Sequence, residues 1–382
     1  MKPLDLPQRS RILVVTLRRL GDALFATPLI ASLRRAYPRA IIDVLLFEDA
    51  AGVLAGNPDI SRIITMPMRP SLWQGLALAA RLAKRYHLAV STQSGDRPTA
   101  FALIAGRRHV GPIDDGPRGA LRRLMLSRSM TPQPGLHRVE EMLRIADALG
   151  IARVGHLVCP GRSGSPGTAG QAAEERQLHG LQSYAVVHAA PAFAYKRWTP
   201  DGWRALADGI RARGMRIVAT GGSAAAERAY LDQVWGDLPD VLRRDGQMSW
   251  PELAVMLAGA RLFVGPDTSV THLAAATGCP TVALYGPTDP RLWGPVPAAG
   301  LDPMWAATGL IQRRKNVWLV QNPLSCLPCQ NEGCERRISS FSRCLDELMP
   351  AQVLRAVDAA LASQMKPAVE PARAADGADR LK

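Results

Sequence analysis

The feature that most constrains the fold is an alternation of short apolar runs with longer helical patterns. In the first part of the chain, this alternation predicts strands at 12–16, 41–47, 60–66 and 87–91, with helices at 23–36 and 72–85. Short β-rich runs that alternate with longer helices are typical of βαβ units, in which the strands form a parallel sheet. The sequence therefore predicts an α/β fold.

The alternation stops and then begins again. The stretch 159–180 is rich in glycine, serine and proline, which is typical of a linker or an exposed loop. After it come predicted strands at 184–189, 215–220, 262–264 and 281–285, and helices at 200–213, 224–235, 251–258 and 270–277. A chain of 382 residues is long for one hydrophobic core. We therefore predict two α/β domains.

The predicted boundaries follow from this interruption. We expect an N-terminal domain at 1–160, a linker or flexible loop at 161–180, a C-terminal domain at 181–349, a last helix at 350–365 and a disordered tail at 366–382. Open α/β sheets bind ligands at the carboxyl ends of their strands. Two such domains place those ends across a shared cleft.

The charge of the chain is positive and uneven. The formal net charge is +14, and 22 lysines and arginines against 12 acidic residues leave 22 − 12 = +10 within residues 1–150. Such a field attracts anions, whether nucleic acid, acidic lipid or a phosphorylated substrate, although arginines also simply solvate a surface. Aromatic residues make up only 5%, which leaves few platforms for stacked bases. We therefore predict no nucleic-acid partner, with a basic nucleic-acid-binding protein as the less favoured alternative.

The hydropathy of the chain bears on its location. No apolar run reaches the roughly 18 residues that a membrane-spanning helix needs. The first ten residues are polar, and the apolar run at 12–16 is too short for the core of a signal peptide. We expect a cytoplasmic protein.

The first candidate for chemistry follows the first predicted strand, in Arg18-Arg19-Leu20-Gly21-Asp22. A carboxylate at such a turn projects toward the cleft, where Asp22 is able to take a proton from a hydroxyl group as a general base. Aspartate is also a common N-cap residue of helices, and this motif alone favours that interpretation.

A second candidate lies between a short strand and a helix, at 265–272. Asp267, Thr268, Ser269 and His272 stand where the free amides of a helix N-terminus bind anions such as a diphosphate. A buried histidine with no role in binding is common, so His272 carries little weight alone.

A third candidate is Lys196, which follows another predicted strand and is able to contact a phosphate as a compact positive charge. A loop lysine is more often only solvated. The turn Thr220-Gly221-Gly222-Ser223 also permits close approach of a ribose or phosphate, although glycine pairs at such turns are frequent. The chain has no Walker-type phosphate loop and no G-x-G-x-x-G after a strand.

Four cysteines cluster near the end of the second domain. Cys326, Cys329, Cys334 and Cys344 have a spacing compatible with a structural zinc ion. The second pair does not form a C-x-x-C motif, which favours reduced or locally paired cysteines instead.

In combination, these segments resemble the lipopolysaccharide heptosyltransferases, the bacterial ADP-heptose transferases of glycosyltransferase family 9. The resemblance runs from Ile12 to about Val357. Its most specific carriers are Arg19-Leu20-Gly21-Asp22 with Thr27-Pro28, Lys196-Arg197-Trp198, Met248-Ser249, Asp267-Thr268-Ser269 with His272, and the run from Leu284 to Pro290. The stretch up to Ile64 is most similar to the branch that adds the third core heptose.

The resemblance implies a GT-B fold, in which two Rossmann-like domains bind the acceptor and the donor respectively. It implies that Asp22 is the catalytic base, that Lys196, Asp267, Thr268 and His272 bind the nucleotide-sugar, and that Met248 lies near the adenine. Ser223 and Ser269 are further candidates on the donor side. The last helix is expected to cross back onto the first domain.

The same resemblance implies the reaction and its partners. The reaction is transfer of heptose from ADP-heptose to the lipopolysaccharide core with inversion, without a cofactor or bound metal, since the protein supplies the countercharge. Arg18, Arg19 and Arg97, with Arg122 and Arg123, are candidate contacts of the phosphorylated glycolipid acceptor. The protein would then associate peripherally with the inner membrane through its charge.

Two features depart from the family. Some members carry threonines where this chain has Pro191 and Ala192, and a ribose-binding glutamate of some members falls at Ala224. These departures leave open another GT-B enzyme, such as an epimerase or a transferase that uses a uridine donor.

Overall fold

The computed structural model of the chain describes residues 4–161, 183–301 and 305–364. The predicted linker at 161–180, apart from Gly161, and the predicted tail at 366–382 lie outside the described residues. Within those residues, no helix combines the length and apolarity that a membrane span requires.

The first domain is built on a six-stranded sheet whose strands are all parallel. The strand order is β3-β2-β1-β4-β5-β6. The strands are β1 (Arg11–Thr16), β2 (Ile41–Phe47), β3 (Arg62–Met66), β4 (Tyr86–Ser91), β5 (Gly106–Pro112) and β6 (Arg128–Met130). Almost every side chain of β1 and β2 is buried, as expected for central strands covered on both faces.

Six helices cover this sheet. They are α1 (Leu20–Phe25), α2 (Thr27–Ala36), α3 (Leu72–Leu82), α4 (Asp96–Ala105), α5 (Pro117–Met125) and α6 (Arg138–Leu149), and a 3-10 helix spans Glu48–Leu54. The helix predicted at 23–36 is in fact two helices that meet at Ala26. Pro28 lies in the first turn of α2, and its missing N–H prevents a continuous helical ladder there.

The second domain has a seven-stranded sheet in the order β12-β13-β11-β10-β7-β8-β9. All its pairs are parallel except β12 with β13 at the edge. Its strands are β7 (Tyr184–His188), β8 (Arg216–Thr220), β9 (Leu242–Arg243), β10 (Leu262–Pro266), β11 (Thr281–Leu284), β12 (Ile311–Arg314) and β13 (Val317–Val320). The helices are α7 (Pro200–Ala212), α8 (Ala225–Trp235), α9 (Trp250–Gly259), α10 (Ser269–Ala276), α11 (Pro290–Trp293), α12 (Arg343–Asp346) and α13 (Pro350–Ala362).

Both sheets reverse their winding direction at one place. In the first sheet β1 lies between β2 and β4, and in the second β7 lies between β8 and β10. Connections leave such a switch point in opposite directions, which opens a crevice at the carboxyl ends of the strands. The segments after β1, β7 and β10 therefore converge on the space between the domains, and the GT-B expectation is confirmed.

The prediction that the last helix packs on the first domain is wrong. The main packing partners of α13 among the described residues are α7 and strands β10, β11 and β13, all in the second domain. Its apolar stripe, which includes Val353 and Val357, is buried in the second domain's own core. Asp358 also accepts a hydrogen bond at 2.7 Å from Arg213, the residue that follows α7.

The two domains share buried surface. One hydrophobic cluster joins α1 and α6 of the first domain to α9 and α10 of the second. The Phe25 ring meets the His272 ring edge-on, with centroids 4.7 Å apart. His137 Nε2 donates a hydrogen bond to the carbonyl of Gly294 at 2.9 Å. These contacts bring the two switch points close together.

Candidate active site

Asp22 lies on α1, directly after the central strand of the first sheet. It is not the N-cap residue, because Arg19 occupies that position and Asp22 is in the first turn. The N-cap interpretation, which the motif alone favoured, is therefore wrong. Only 8% of Asp22 is exposed. Among the described residues, one hydrogen-bond partner therefore decides how its carboxylate is oriented.

That partner is Arg138, at the start of α6. Arg138 Nε donates to Oδ1 of Asp22 at 3.0 Å, and its Nη2 donates to the carbonyl of Thr92 at 3.2 Å. In the part of the chain that the structure describes, no hydrogen bond reaches Oδ2 of Asp22. The arginine thus fixes the orientation of the carboxylate and leaves one oxygen available to a substrate. Burial lowers the pKa of Arg138, although Asp22 opposes this effect.

On the other side of the cleft, Lys196 and Asp267 form an ion pair. Lys196 ends a short 3-10 turn after β7, and its Nζ lies 2.5 Å from Oδ2 of Asp267, which follows β10. Thr288 Oγ1 donates to the same oxygen at 2.7 Å. Burial alone would raise the pKa of Asp267, but the Lys196 ammonium, the neighbouring His272 and the hydrogen bonds from Lys196 and Thr288 together hold the pKa of that carboxyl below its usual value.

The N-terminus of α10 completes this side. Thr268 is its N-cap, and the Thr268 side chain accepts from the amide of Thr271 at 3.4 Å. The other amides of a first helical turn lack partners within the helix and point outward, which suits an anion. His272 lies one turn further on, with Nε2 3.8 Å from Oδ1 of Asp267. Burial lowers the pKa of His272 to about 4, so the imidazole is neutral at pH 7.

These groups line one cavity of about 560 Å³ between the domains. From the first domain come Arg19 and Asp22, and from the second come Lys196, Asp267, Thr268, Ser269 and His272. Most of the candidate residues, which the sequence placed at separate strand-to-helix turns, thus line one cavity. Pro191 and Ala192, where the chain departs from the family, also line the cavity.

Six predicted contacts do not line this cavity: Arg18, Arg97, Arg122, Arg123, Ser223 and Met248. Arg122 and Arg123 form ion pairs with Asp96 and Asp115. Arg18 is exposed, with Nη1 3.9 Å from Oδ1 of Asp22. Arg97 is exposed and donates to the carbonyl of Met68 at 3.1 Å. Ser223 is exposed after β8, and Met248, which follows β9, is half-buried against the shared core.

Several residues that line the cavity or position its side chains carried no recognised signal in the sequence. Arg138, which orients Asp22, is one of many arginines. Gln330 and Asn331 line the cavity from the cysteine-rich segment, and the Gln330 amide donates to the carbonyl of Pro287 at 2.8 Å. Ser342 Oγ of the same segment donates to the carbonyl of Tyr195 at 2.6 Å. The segment therefore supports the loops on which Thr288 and Lys196 lie.

The four cysteines lie near one another. Burial, followed by the neighbouring Cys329, Cys334 and Cys326, raises the pKa of Cys344 to about 12. The Arg343 amide donates to Sγ of Cys334 at 3.4 Å. Among the described residues, no group of three or more histidine, cysteine or acidic side chains is placed to hold a metal ion. A zinc ion stays the less favoured alternative for these cysteines, and metal analysis of the purified protein against a Cys326→Ser/Cys329→Ser variant would test it.

Comparison with known proteins agrees with this geometry. The lipopolysaccharide heptosyltransferase 3 of Escherichia coli is 28% identical over 285 residues, which cover 72% of this chain and 83% of that protein. The lipopolysaccharide heptosyltransferase 1 of Pseudomonas aeruginosa is 28% identical over 378 residues, which cover 92% of this chain and 98% of that protein. Since types 1 and 3 both match, the predicted branch stays a prediction.

Solved structures show the same architecture. The E. coli heptosyltransferase WaaC with ADP superposes with a TM-score of 0.62 at 25% identity, covering 82% of this chain and 93% of that one. The same enzyme with ADP-2-deoxy-2-fluoro heptose gives a TM-score of 0.65 at 22% identity, covering 91% of this chain and 99% of that one. The model of glycosyltransferase family 9 (heptosyltransferase) matches residues 76–335, which is more than half of the chain. Because this match spans more than half of the chain, the chain belongs to glycosyltransferase family 9.

Proposed function

We propose that this protein transfers heptose from ADP-heptose to the core of lipopolysaccharide, with inversion at the anomeric carbon. The observation that carries the proposal is one cavity that is lined by Asp22 of the first domain and by Lys196 and the N-terminus of α10 of the second. The relatives' names support the sugar and the acceptor, and the nucleotide in WaaC supports the donor.

The first domain supplies the base. Asp22 takes the proton of an acceptor hydroxyl through Oδ2, while Arg138 holds Oδ1 in place. The hydroxyl oxygen then forms a bond to the anomeric carbon of the donor as the bond from that carbon to the phosphate oxygen breaks. General-base catalysis of this kind contributes about 10²–10⁴-fold.

The second domain binds the leaving group. The ADP that departs gains negative charge, which Lys196 and the amides at the start of α10 stabilise. Asp267 and Thr288 hold Lys196 in position. Ser223 and Met248 follow β8 and β9, which are the next strands beyond β7 along the same sheet edge. They would flank the adenosine end of the donor.

The acceptor binds on the basic first domain. Arg19 lines the cavity itself, whereas Arg18 and Arg97 lie outside it and are suited to the phosphates of a larger glycolipid. Such a glycolipid is held in a membrane, so we propose that the protein works at the cytoplasmic face of the inner membrane. This charge-based association should weaken as salt rises.

The proposal is tested with purified protein, ADP-heptose and lipopolysaccharide that lacks its outer heptoses. Mass spectrometry of the acceptor should show the addition of one heptose, together with release of ADP. A thermal-shift series separates the donors, because ADP should raise the melting temperature more than UDP does. A larger response to UDP, with no heptose transfer, would instead favour a transferase or epimerase with a uridine donor.

A further inference from the structure

Helix α3 presents apolar side chains to solvent at its beginning. Leu72, Trp73 and Leu76 are all exposed, and Trp73 is 79% exposed. Residues separated by three or four positions lie on the same face of a helix, so these three side chains form one patch. The helix itself is anchored by Leu78 and Leu82, which are buried.

Helix α5 repeats this arrangement. Leu121, Leu124 and Met125 share a face by the same spacing, and Leu124 is 84% exposed. Scattered exposed leucines are ordinary on protein surfaces, but grouped apolar side chains with a polar rim indicate an interaction surface.

Side-chain contacts connect both α5 and the residues just before α3 to the first turn of α4. Arg122 of α5 forms an ion pair with Asp96, the first residue of α4. The next residue, Arg97, donates to the carbonyl of Met68, just before α3, at 3.1 Å. Met68 is 52% exposed and also lines the cavity between the domains. The apolar faces therefore lie beside the entrance to the site.

The charge around these faces is basic. The sequence has no acidic residue between Asp59 and Asp96, a stretch that includes all of α3. It has none between Asp115 and Glu140, a stretch that includes all of α5. Apolar side chains combined with arginines and lysines are typical of helices that bind anionic lipid surfaces.

We infer that α3 and α5 form a membrane-docking surface that inserts its apolar side chains into an anionic lipid leaflet. The docking surface consists of Leu72, Trp73, Leu76, Leu121, Leu124 and Met125. It holds the cavity entrance at the lipid surface, so that the sugar of a glycolipid reaches Asp22 while its acyl chains remain in the bilayer. The identity of that glycolipid rests on the proposed function, whereas insertion itself does not.

Vesicle flotation of the purified protein tests the docking surface. The chain should float with vesicles of phosphatidylethanolamine and phosphatidylglycerol, and much less with phosphatidylcholine alone. The variant Leu72→Ser/Trp73→Ser/Leu76→Ser should bind at least about tenfold more weakly, because each side chain loses its transfer into lipid. Leu121→Ser/Leu124→Ser should act in the same direction, and the melting temperatures should stay unchanged because these side chains are exposed.

The matched control is Ile41→Ser. Ile41 is also exposed, but it begins β2 at the amino end of the same sheet, away from the cavity. This variant should float as the parent does. In addition, brominated lipid should quench part of the tryptophan fluorescence, and Trp73→Phe should lose that quenched part while it retains binding.

Two further measurements separate the possible failures. The α3 variant should transfer sugar normally to a deacylated, water-soluble acceptor and poorly to one embedded in vesicles. Absence of transfer by the parent protein, with flotation of the parent intact and flotation of the Leu72→Ser/Trp73→Ser/Leu76→Ser variant reduced, would refute the proposed function and leave the docking surface standing. Unchanged flotation of both variants would overturn the docking surface. A shift of the α3 variant from dimer to monomer in sedimentation, with flotation unchanged, would assign these helices to a second copy of the chain.

Discussion

At the scale of single residues, the donor side of the cavity depends on one buried carboxylate. Asp267 is buried, and two groups, the Lys196 ammonium and the Thr288 hydroxyl, donate to the same oxygen. A buried charge that loses its partner is strongly destabilising, whereas removal of both charges is far less so. Single and double substitutions of this pair therefore distinguish the structural role of Lys196 from its proposed role in binding the donor.

Lys196→Met should therefore lower both stability and donor binding. The unfolding free energy should fall by about 3–5 kcal/mol, because the Asp267 carboxylate stays buried without its cation. The double variant Lys196→Met/Asp267→Asn should regain much of that stability and still bind ADP weakly. Denaturant unfolding and titration calorimetry measure the two effects. ADP binding that recovers together with stability would show that Lys196 has only a structural role.

The sequence predicted the charged residues of the cavity better than it predicted their partners. Asp22, Lys196, Asp267 and His272 each follow a predicted strand, and strand ends converge in a parallel sheet, so their proximity was foreseeable. Arg138 was not, because its side chain reaches Asp22 across 116 positions of the chain. Nor was the pairing of Lys196 with Asp267, since both were predicted as independent contacts of the donor.

At the scale of elements, the loop that carries Lys196 is fixed by a tryptophan two residues further on. Trp198 is buried, and its Nε1 donates to the carbonyl of Leu348 at 2.8 Å. Its ring packs directly on Gly202, in the first turn of α7. A methyl group at position 202 would clash with Cε2 of that ring, so the helix and the lysine loop fit together only with glycine there.

Gly202→Ala should thus lower the melting temperature and weaken ADP binding, because either α7 or the Trp198 ring must move. The control is Gly75→Ala in α3, where nothing lies within 4 Å of an added methyl group. That substitution should stabilise the protein by about 0.5–1 kcal/mol, since alanine favours a helix over glycine. Similar thermal shifts in the two variants would contradict this account of the lysine loop.

Most elements were predictable from periodicity, and the errors have physical causes. Strands β1, β2, β7 and β10 are almost wholly buried and read as continuous apolar runs. The prediction missed β5, whose first half carries the exposed pair Arg107 and Arg108 and has no strand-like pattern. The last helix was placed on the wrong domain because its position was taken from the family resemblance. Its amphipathic pattern shows which face is buried but not which domain that face packs against.

At the scale of the whole molecule, three buried histidines make stability depend on pH. Burial lowers the pKa of His137, His188 and His272 to about 4 in the folded protein. In the unfolded chain a histidine titrates near 6.5, so between about pH 6.5 and 4 the unfolded state binds more protons. The stability that these groups contribute is fully present above pH 6.5 and is lost as the pH falls toward 4.

Unfolding free energies measured between pH 7 and pH 4.5 should therefore decrease steadily. His188→Gln tests the assignment, because His188 lies outside the cavity lining and its Nδ1 lies 3.1 Å from Oγ1 of Thr220. Each histidine accounts for at most about 1.4 kcal/mol per pH unit, and the variant should show a slope that is shallower by up to this amount. An unchanged slope would mean that His188 takes up its proton in the folded state.

The central claim is that the two domains contribute opposite halves of one reaction. The most direct measurement compares the parent protein with Asp22→Asn for both heptose turnover and ADP-heptose binding. Since asparagine cannot accept the proton, turnover should fall by about 10²–10⁴-fold. The dissociation constant of the donor should stay nearly unchanged, because Lys196 and α10 belong to the other domain. Turnover equal to that of the parent would contradict the account.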